Sequence, residues 1–489
     1  MDPFAALAET HISVVFFAGD RAYKLLKPVR TGFLDFSTPE RRAAACAREL
    51  ELNRRFAPDV YLGVSELVER GAVAEHVIVM RRLPNERRLS TLLQGSEVDD
   101  VLRDVARAVA IVHAAAPVND RAAELSTRDA VASLWHHNFD EMAPFAGTLI
   151  EDRTLAEVRA LADTYLEGRD ALFARRVADG FARDGHGDLL ADDIFCLADG
   201  PRILDCLAFD DDLRVGDVLL DVAMLVMDLE RLAGAEPATA FLRWYQEFSN
   251  EHHPASLADH YVAYRALVRA KIACLRAQQQ MDGAAAEASR LVGMCLAHLR
   301  RAHPRLVLVG GAPGTGKSTT ARGLAAATGF AQLSSDEIRK DLAGVGHDEH
   351  AFAAVDEGIY APDMTERVYA ELIARARTLL GLGESVVVDA SWFSGTSRAS
   401  ARDAAAAAHA DIVELRCVLA PSVAAARIEG RLAAGSDPSD ATPGIARHLA
   451  ASADPWPEAH ALDTTRWPDQ VVEDARAVVE AHRVELREP

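Results

Sequence analysis

Gly311-Ala312-Pro313-Gly314-Thr315-Gly316-Lys317-Ser318 satisfies the pattern G-x-x-x-x-G-K-[ST] at every position. The run before it, Arg305 to Val309, reads as a short buried strand, and the run from Thr319 to Gly329 reads as a helix. A glycine-rich turn between strand and helix lets successive backbone N–H groups face one concavity, to which the helix N-terminus adds its positive end. That is a cradle for the phosphates of a nucleoside triphosphate. Lys317 is placed to reach the β- and γ-phosphates, the Ser318 hydroxyl to hold Mg²⁺, and Thr319 continues the loop into the helix.

Strands and helices alternate downstream, with apolar runs at Ser385 to Asp389 and Glu414 to Leu419. This predicts a parallel sheet wrapped by helices. Asp336 and Arg339 lie about one βα unit past the loop, three apart on one helix face. A carboxylate there can take a proton from a substrate hydroxyl while the arginine holds an anionic group; the plainer reading of Asp336 is a helix cap. Asp389 ends a strand at the position of a magnesium-associated acid. Arg427 and Arg431, four apart on a later helix, form either a lid over the triphosphate or a solvated face. Together, Lys317, Ser318, Asp336, Arg339 and Arg427 make residues 305–470 resemble the small P-loop kinases, such as gluconate kinase, polynucleotide kinase, chloramphenicol phosphotransferase and the zeta toxins.

A second phosphotransfer pattern lies at His186-Gly187-Asp188-Leu189-Leu190-Ala191-Asp192-Asp193. Its spacing is that of a kinase catalytic loop, with Asp188 at the base position and Asp193 at the metal position. Asp205 ends the strand that follows and reads as the principal Mg²⁺ ligand. Nearer the N-terminus, Lys24 sits mid-strand among apolar residues, and Glu49 is the one acid on the helix face made by positions 46, 49, 50, 53, 56 and 57. An inward Glu with a strand Lys is the pair that holds ATP phosphates in kinase folds. Met80 takes the place of the hinge bordering adenine. With Gly216-Asp217-x-x-x-Asp221, residues 10–300 resemble the aminoglycoside phosphotransferase family, which implies a two-lobed kinase-like fold. The stretch AYKLLKPVRTGFLDFSTPE is similar to a bacterial group that joins such a domain to a C-terminal P-loop kinase. Two departures stand out: Asp193 replaces the usual Asn, and only Gly19-Asp20 stands where a G-x-G-x-x-G loop would cover the phosphates.

The expected organisation is a kinase-like domain over 1–300 (small lobe about 1–88, helical lobe about 89–300) and a P-loop domain over 301–489. With no long spacer near 300, nucleotide in one half is expected to alter affinity in the other. The charge of −21, from 53 basic and 74 acidic residues, disfavours bulk nucleic acid and anionic membranes. Six scattered cysteines without a C-x-x-C pair, and no leader or spanning stretch, point to the cytoplasm. His347-Asp348-Glu349-His350 reads as a polar loop rather than a metal site. These observations predict an ATP- or GTP-dependent, Mg²⁺-using transferase of phosphate to a small-molecule hydroxyl. Its rivals are a nucleotide-sensing regulator with a dead N-terminal domain and a toxin-like or polynucleotide kinase.

Overall fold

In the computed structural model, which describes residues 5–10, 12–30, 34–70, 72–95, 98–346, 359, 361–434, 444, 451 and 453–482, the first segments form one antiparallel sheet. Its strands are β1 (Ala5–Glu9), β2 (Ser13–Ala18), β3 (Arg21–Leu26), β4 (Tyr61–Glu69) and β5 (Ala72–Arg81), in the order β1-β2-β3-β5-β4. Strand β1, with no β-branched residue, carries no strand signal of its own and gains its structure by pairing with β2. Helix α1 (Pro39–Asn53) is capped by Thr38, whose hydroxyl accepts from the Arg41 N–H, and Pro39 takes the first helical position, where its missing N–H costs nothing. Cys46 of α1 packs with Ala22, Leu26, Ile78 and Met80 to close one sheet face.

Helix α2 (Val98–Ala115) buries Leu102, Val105, Ala106, Val109, Ala110 and His113, one stripe of a 3.6-residue period, and packs on α5 (Ala235–Ser249). Helix α3 (Arg128–Met142) buries Val131, Trp135 and Phe139, and helix α4 (Val218–Ala233) is buried at every position from Val218 to Leu229. Two short hairpin-like pairings, β6 (Ala182–Asp184) with β9 (Val215–Asp217) and β7 (Ile194–Leu197) with β8 (Gly200–Ile203), form the island inside the helical region.

The remaining strands are β10 (Arg305–Gly310), β11 (Ala331–Ser334), β12 (Val386–Asp389), β13 (Asp411–Val418) and β14 (His460–Asp463). They pair in parallel in the order β11-β12-β10-β13-β14. Helices cover both faces of such a sheet, so its strands read as unbroken apolar runs. Leu306, Leu308, Val386 and Val388 pack with Leu372, Leu380 and Trp392 on one face; Val307, Val309, Val387 and Leu415 pack with Leu324 and Val471 on the other.

The chain divides into two compact units, residues 1–155, 173–253 and 261–296 in the first, and 156–172, 254–260 and 297–489 in the second. The second unit therefore uses residues far upstream of its sheet. Arg169, fully buried, donates from Nη1 to the Ala408 carbonyl at 2.7 Å, beside the end of the helix Gly395–Ala407. Ser256 Oγ donates to the Gly383 carbonyl at 2.7 Å. His260, also fully buried, stacks on Tyr165 with ring centroids 4.3 Å apart.

Burial, assisted by the Arg169 charge, pushes His260 down to about 3, so it is neutral in the folded chain. Unfolded, it titrates near 6.5. Between those values the unfolded state binds a proton that the folded state refuses. Stability therefore falls as pH drops from about 6.5 toward 3, by up to about 5 kcal/mol from this group. His260→Phe is expected to remove that slope. Urea midpoints at pH 7 and pH 4.5 check it: the variant should resemble the parent at pH 7 and exceed it at pH 4.5.

Among the described residues no helix is long and apolar enough to cross a membrane. All six cysteines are free and buried.

Candidate functional site

Lys24 lies in the middle of β3, paired with Val15 on one side and Ile78 on the other. Its ammonium sits 2.7 Å from Glu49 Oε1 and 2.6 Å from Asp205 Oδ1. Three elements separated by up to 181 positions thus converge on one nitrogen. Burial alone would lower the Lys24 pKa, but the two carboxylates outweigh it and hold the group well above the usual lysine value. The lysine in turn holds Asp205 below the carboxylate norm, whereas burial raises Glu49.

Asp205 has φ +65°, a left-handed conformation that non-glycine residues rarely adopt. Its neighbours fix that turn. The Asp205 N–H donates to the Tyr61 hydroxyl at 3.2 Å, and the Cys206 N–H donates to Asn53 Oδ1 at 2.9 Å. Asn53 is fully buried on the same inward face of α1 as Glu49.

The Asp188 turn is held from behind. Asp221, in the first turn of α4, accepts the His186 N–H at 2.8 Å and the Gly187 N–H at 2.7 Å. His113 Nε2 donates to the same carboxylate at 3.0 Å, and its Nδ1 lies 2.8 Å from the Tyr245 hydroxyl. Burial alone would raise Asp221; these bonds and the neighbouring histidines hold it far below the usual range. Gly185 is required by this approach, since a Cβ there would lie 2.6 Å from Asp221 Oδ2. His186 Nε2 contacts the Leu204 carbonyl at 3.0 Å, tying the turn to the strand before Asp205. Burial raises Asp188, and burial with the nearby Asp205 and Asp188 charges pushes Asp193 up to about 8. Met80 is buried in the core beside Ala22 and Tyr61, its neighbours in register.

Sequence reading did not single out His113, Tyr245 or Tyr61. The available signal was a histidine on the otherwise apolar stripe of α2. Asp221→Asn removes one acceptor oxygen from a set of three donors and so loosens the Asp188 turn. At the N-terminal site this is expected to lower kcat by about 10- to 100-fold with a smaller change in nucleotide KM, as steady-state kinetics would measure.

In the C-terminal unit the phosphate loop joins β10 to the helix Lys317–Thr328. Gly314 has φ +82°, and a Cβ on it would meet the Ala424 carbonyl at 2.6 Å. Gly316 caps the helix without any side-chain bond, so the first helical N–H groups are left for an anion. Asp389, at the end of β12, is buried close to Ser318, and its Oδ1 has no partner among the described residues. Burial raises its carboxyl while Lys317 and Ser318 pull it down. Asp336 lies in the first turn of the helix Ser335–Ala343, close enough to act on the Asp389 charge. The cap of that helix is Ser334, so the capping reading of Asp336 is set aside.

Arg339 is buried, and its Nη1 donates to the Ile359 carbonyl at 2.8 Å and to Thr365 Oγ1 at 3.2 Å. Arg427, on the helix Pro421–Ala434, donates to the Thr464 carbonyl at 2.9 Å, and its Nη1 comes within 3.7 Å of the Cβ position of Gly316. The side chain of Arg431 and the segment His347-Asp348-Glu349-His350 lie outside the described residues. Trp392, with φ +55°, follows Asp389 and donates its N–H to the Tyr369 hydroxyl at 3.1 Å.

No group of three or more His, Cys, Asp or Glu among the described residues forms a metal cage. Mg²⁺ asks for less: one or two carboxylates and a hydroxyl, with water and phosphate completing its shell. Ser318 with the unpartnered Asp389 oxygen fits that demand, as do Asp193 and Asp205.

Residues 18–260 match the phosphotransferase enzyme family, and residues 306–455 match an AAA domain. An uncharacterized protein of Mycobacterium tuberculosis is 43% identical over 465 residues, covering 95% of this chain and 93% of its own length. Among solved structures, a choline/ethanolamine kinase family protein from Mesorhizobium loti covers 62% of this chain and 93% of its own, at 16% identity and a TM-score of 0.38. A gluconokinase from Sinorhizobium meliloti covers 36% of this chain and 91% of its own, at 19% identity and a TM-score of 0.27. The chain belongs to the family of the mycobacterial protein, and it joins a kinase-like domain of the phosphotransferase enzyme family to a C-terminal P-loop domain.

Proposed function

We propose that the chain is an ATP-dependent phosphotransferase with two nucleotide sites, each moving the γ-phosphate to a hydroxyl of a small molecule. The observation that carries this reading is the Lys24 ammonium held between Glu49 and Asp205 in the same unit as Asp188. A degenerate domain has no need to keep that convergence.

In the N-terminal site Lys24, oriented by Glu49, holds nucleotide phosphates, and Asp193 and Asp205 are the residues that would hold Mg²⁺. When bound, the metal neutralises charge on the transferring phosphoryl group. Asp188 takes the proton of the acceptor hydroxyl while that oxygen bonds to the γ-phosphorus and the bond to the β-phosphate oxygen breaks. Burial strengthens its affinity for that proton. In the C-terminal site Lys317 and the loop N–H groups take the phosphates, Ser318 and Asp389 would hold Mg²⁺, Asp336 is the base, and Arg427 supports the loop. Arg339, its Nη1 steadied by the Ile359 carbonyl and Thr365, is the residue offered to an anionic group of the acceptor. Six free, buried cysteines support a reducing compartment, and the charge of −21 supports a small acceptor over nucleic acid.

A regulatory reading of the N-terminal domain is favoured by one feature, the carboxylic acid Asp193 in place of an amide. Radiolabelled ATP offered to the full chain with a metabolite panel separates the two. Labelled product from the Lys317→Ala chain supports transfer by the N-terminal site; nucleotide binding with no product across the panel supports the regulator.

A further inference from the structure

Helix α6 (Ala255–Gln278) carries two arginines one turn apart, Arg265 and Arg269, in the same unit as Asp188. Residues four apart on a helix share a face. Arg265 fixes the direction of that face: its Nε donates to the Leu220 carbonyl at 3.0 Å. Leu220 precedes Asp221, the carboxylate that holds the His186 and Gly187 N–H groups and so sets the Asp188 turn.

The Arg265 guanidinium also lies over the Tyr264 ring, 6.0 Å from its centre, but no hydrogen bond or ion pair among the described residues uses its terminal nitrogens. Arg269 is half-buried and makes neither kind of bond among the described residues. Its surroundings make that unusual. Arg231, Arg176 and Arg214 of the same unit are each paired with a carboxylate, in a chain with 21 more acids than bases. Of the charges acting on Asp188, those of Arg269 and Arg265 are the largest, ahead of Asp205 and Asp228. Two guanidinium groups, one turn apart on α6 and tied through Leu220 to the element that sets the Asp188 turn, thus act on Asp188 with terminal nitrogens that no hydrogen bond or ion pair among the described residues uses. Arginine forks bind carboxylate and phosphate oxygens in pairs.

We propose that Arg265 and Arg269 bind an anionic group of the phosphate acceptor, a carboxylate or a phosphate, so that the N-terminal site phosphorylates a hydroxyl of a small hydroxy acid or of a phosphorylated alcohol. The proposal rests on the reading of Asp188 as the base of that site. The acceptor O–H gives its proton to Asp188, its oxygen bonds to the γ-phosphorus of ATP, and ADP leaves with the electrons of the broken P–O bond. A cationic amino alcohol would face two like charges and is selected against.

The test uses the full chain carrying Lys317→Ala with Mg-ADP bound. D-Glycerate and D-gluconate are the carboxylate probes, glycerol 3-phosphate the phosphate probe, glycerol and glucose the neutral ones, and choline and ethanolamine the cations. Calorimetry should show at least one anionic probe binding more tightly than the neutral and cationic probes. Arg269→Gln should weaken it at least about tenfold, and Arg269→Lys should recover part of the loss. Comparison of D-glycerate with glycerol 3-phosphate identifies which anion is preferred, and Mg-ADP affinity on the same samples reports that each variant is folded. Failure of every anionic probe to bind while Mg-ADP binds would overturn the proposal. So would preference for choline or ethanolamine, or an anion affinity untouched by Arg269→Gln. Failure of Mg-ADP itself to bind the Lys317→Ala chain would overturn the nucleotide reading of this site, and the proposal with it.

Discussion

Replacing Lys317 by alanine in the full chain is expected to cut turnover at the C-terminal site by at least about a hundredfold, because the only ammonium the loop offers to the β- and γ-oxygens is lost. The substitution leaves Gly314 and Gly316, which set the loop path, untouched, so the loss should fall on chemistry more than on folding. Neighbouring Asp389 loses the charge that counters its burial and becomes harder to ionise. Affinity for Mg-nucleotide should therefore fall together with kcat. The full chain is the right material, since the second unit includes residues 156–172 and 254–260, and a fragment beginning near 300 would lack the Arg169 and Ser256 contacts. Rapid-quench assays with labelled ATP measure the loss. Turnover equal to that of the parent would remove Lys317 from the mechanism.

With the P-loop silenced in this way, Asp188→Asn is expected to abolish the phosphotransfer that remains, a fall of about 10²- to 10⁴-fold, the range a general base supplies. The amide has nearly the same shape, and the Asp221 bonds that hold the turn go to backbone N–H groups, so the geometry survives the change. Nucleotide affinity should change little, because Lys24, Glu49 and Asp205 hold their positions without help from Asp188. A kcat loss with preserved nucleotide affinity is the signature to look for. Residual transfer that ignores Asp188→Asn would assign the base elsewhere.

Much of this was legible in the residues, for reasons that differ by site. The phosphate loop is local: strand, glycine turn and helix follow one another, so eight consecutive letters specify it. Lys24 and Glu49 were legible through periodicity, one acid on an inward stripe opposite a strand lysine, and the 2.7 Å contact follows from packing α1 on the sheet. What escaped is what depends on tertiary approach. Asp221 is legible through the Gly216-Asp217-x-x-x-Asp221 spacing, but the support of Asp188 continues from it to His113 and Tyr245 on two other helices, and no spacing rule links those positions to it. Strand β1 escaped because only β2 makes it a strand. The helix face carrying Asp336 and Arg339 is legible in their spacing, but the Ile359 and Thr365 partners of Arg339 Nη1 come from a distant segment that no spacing points to. The upstream helices of the second unit escaped because their apolar faces do not say which core they serve.

Counting bound nucleotide tests the central claim, two phosphotransfer sites in one chain, most directly. Equilibrium titration with a non-hydrolysable Mg-ATP analogue should find two molecules per chain in the parent and one each in Lys317→Ala and in Lys24→Ala. The site lost should be the C-terminal one in the first variant and the N-terminal one in the second. One molecule per chain in the parent, abolished by Lys317→Ala and indifferent to Lys24→Ala, would contradict the account.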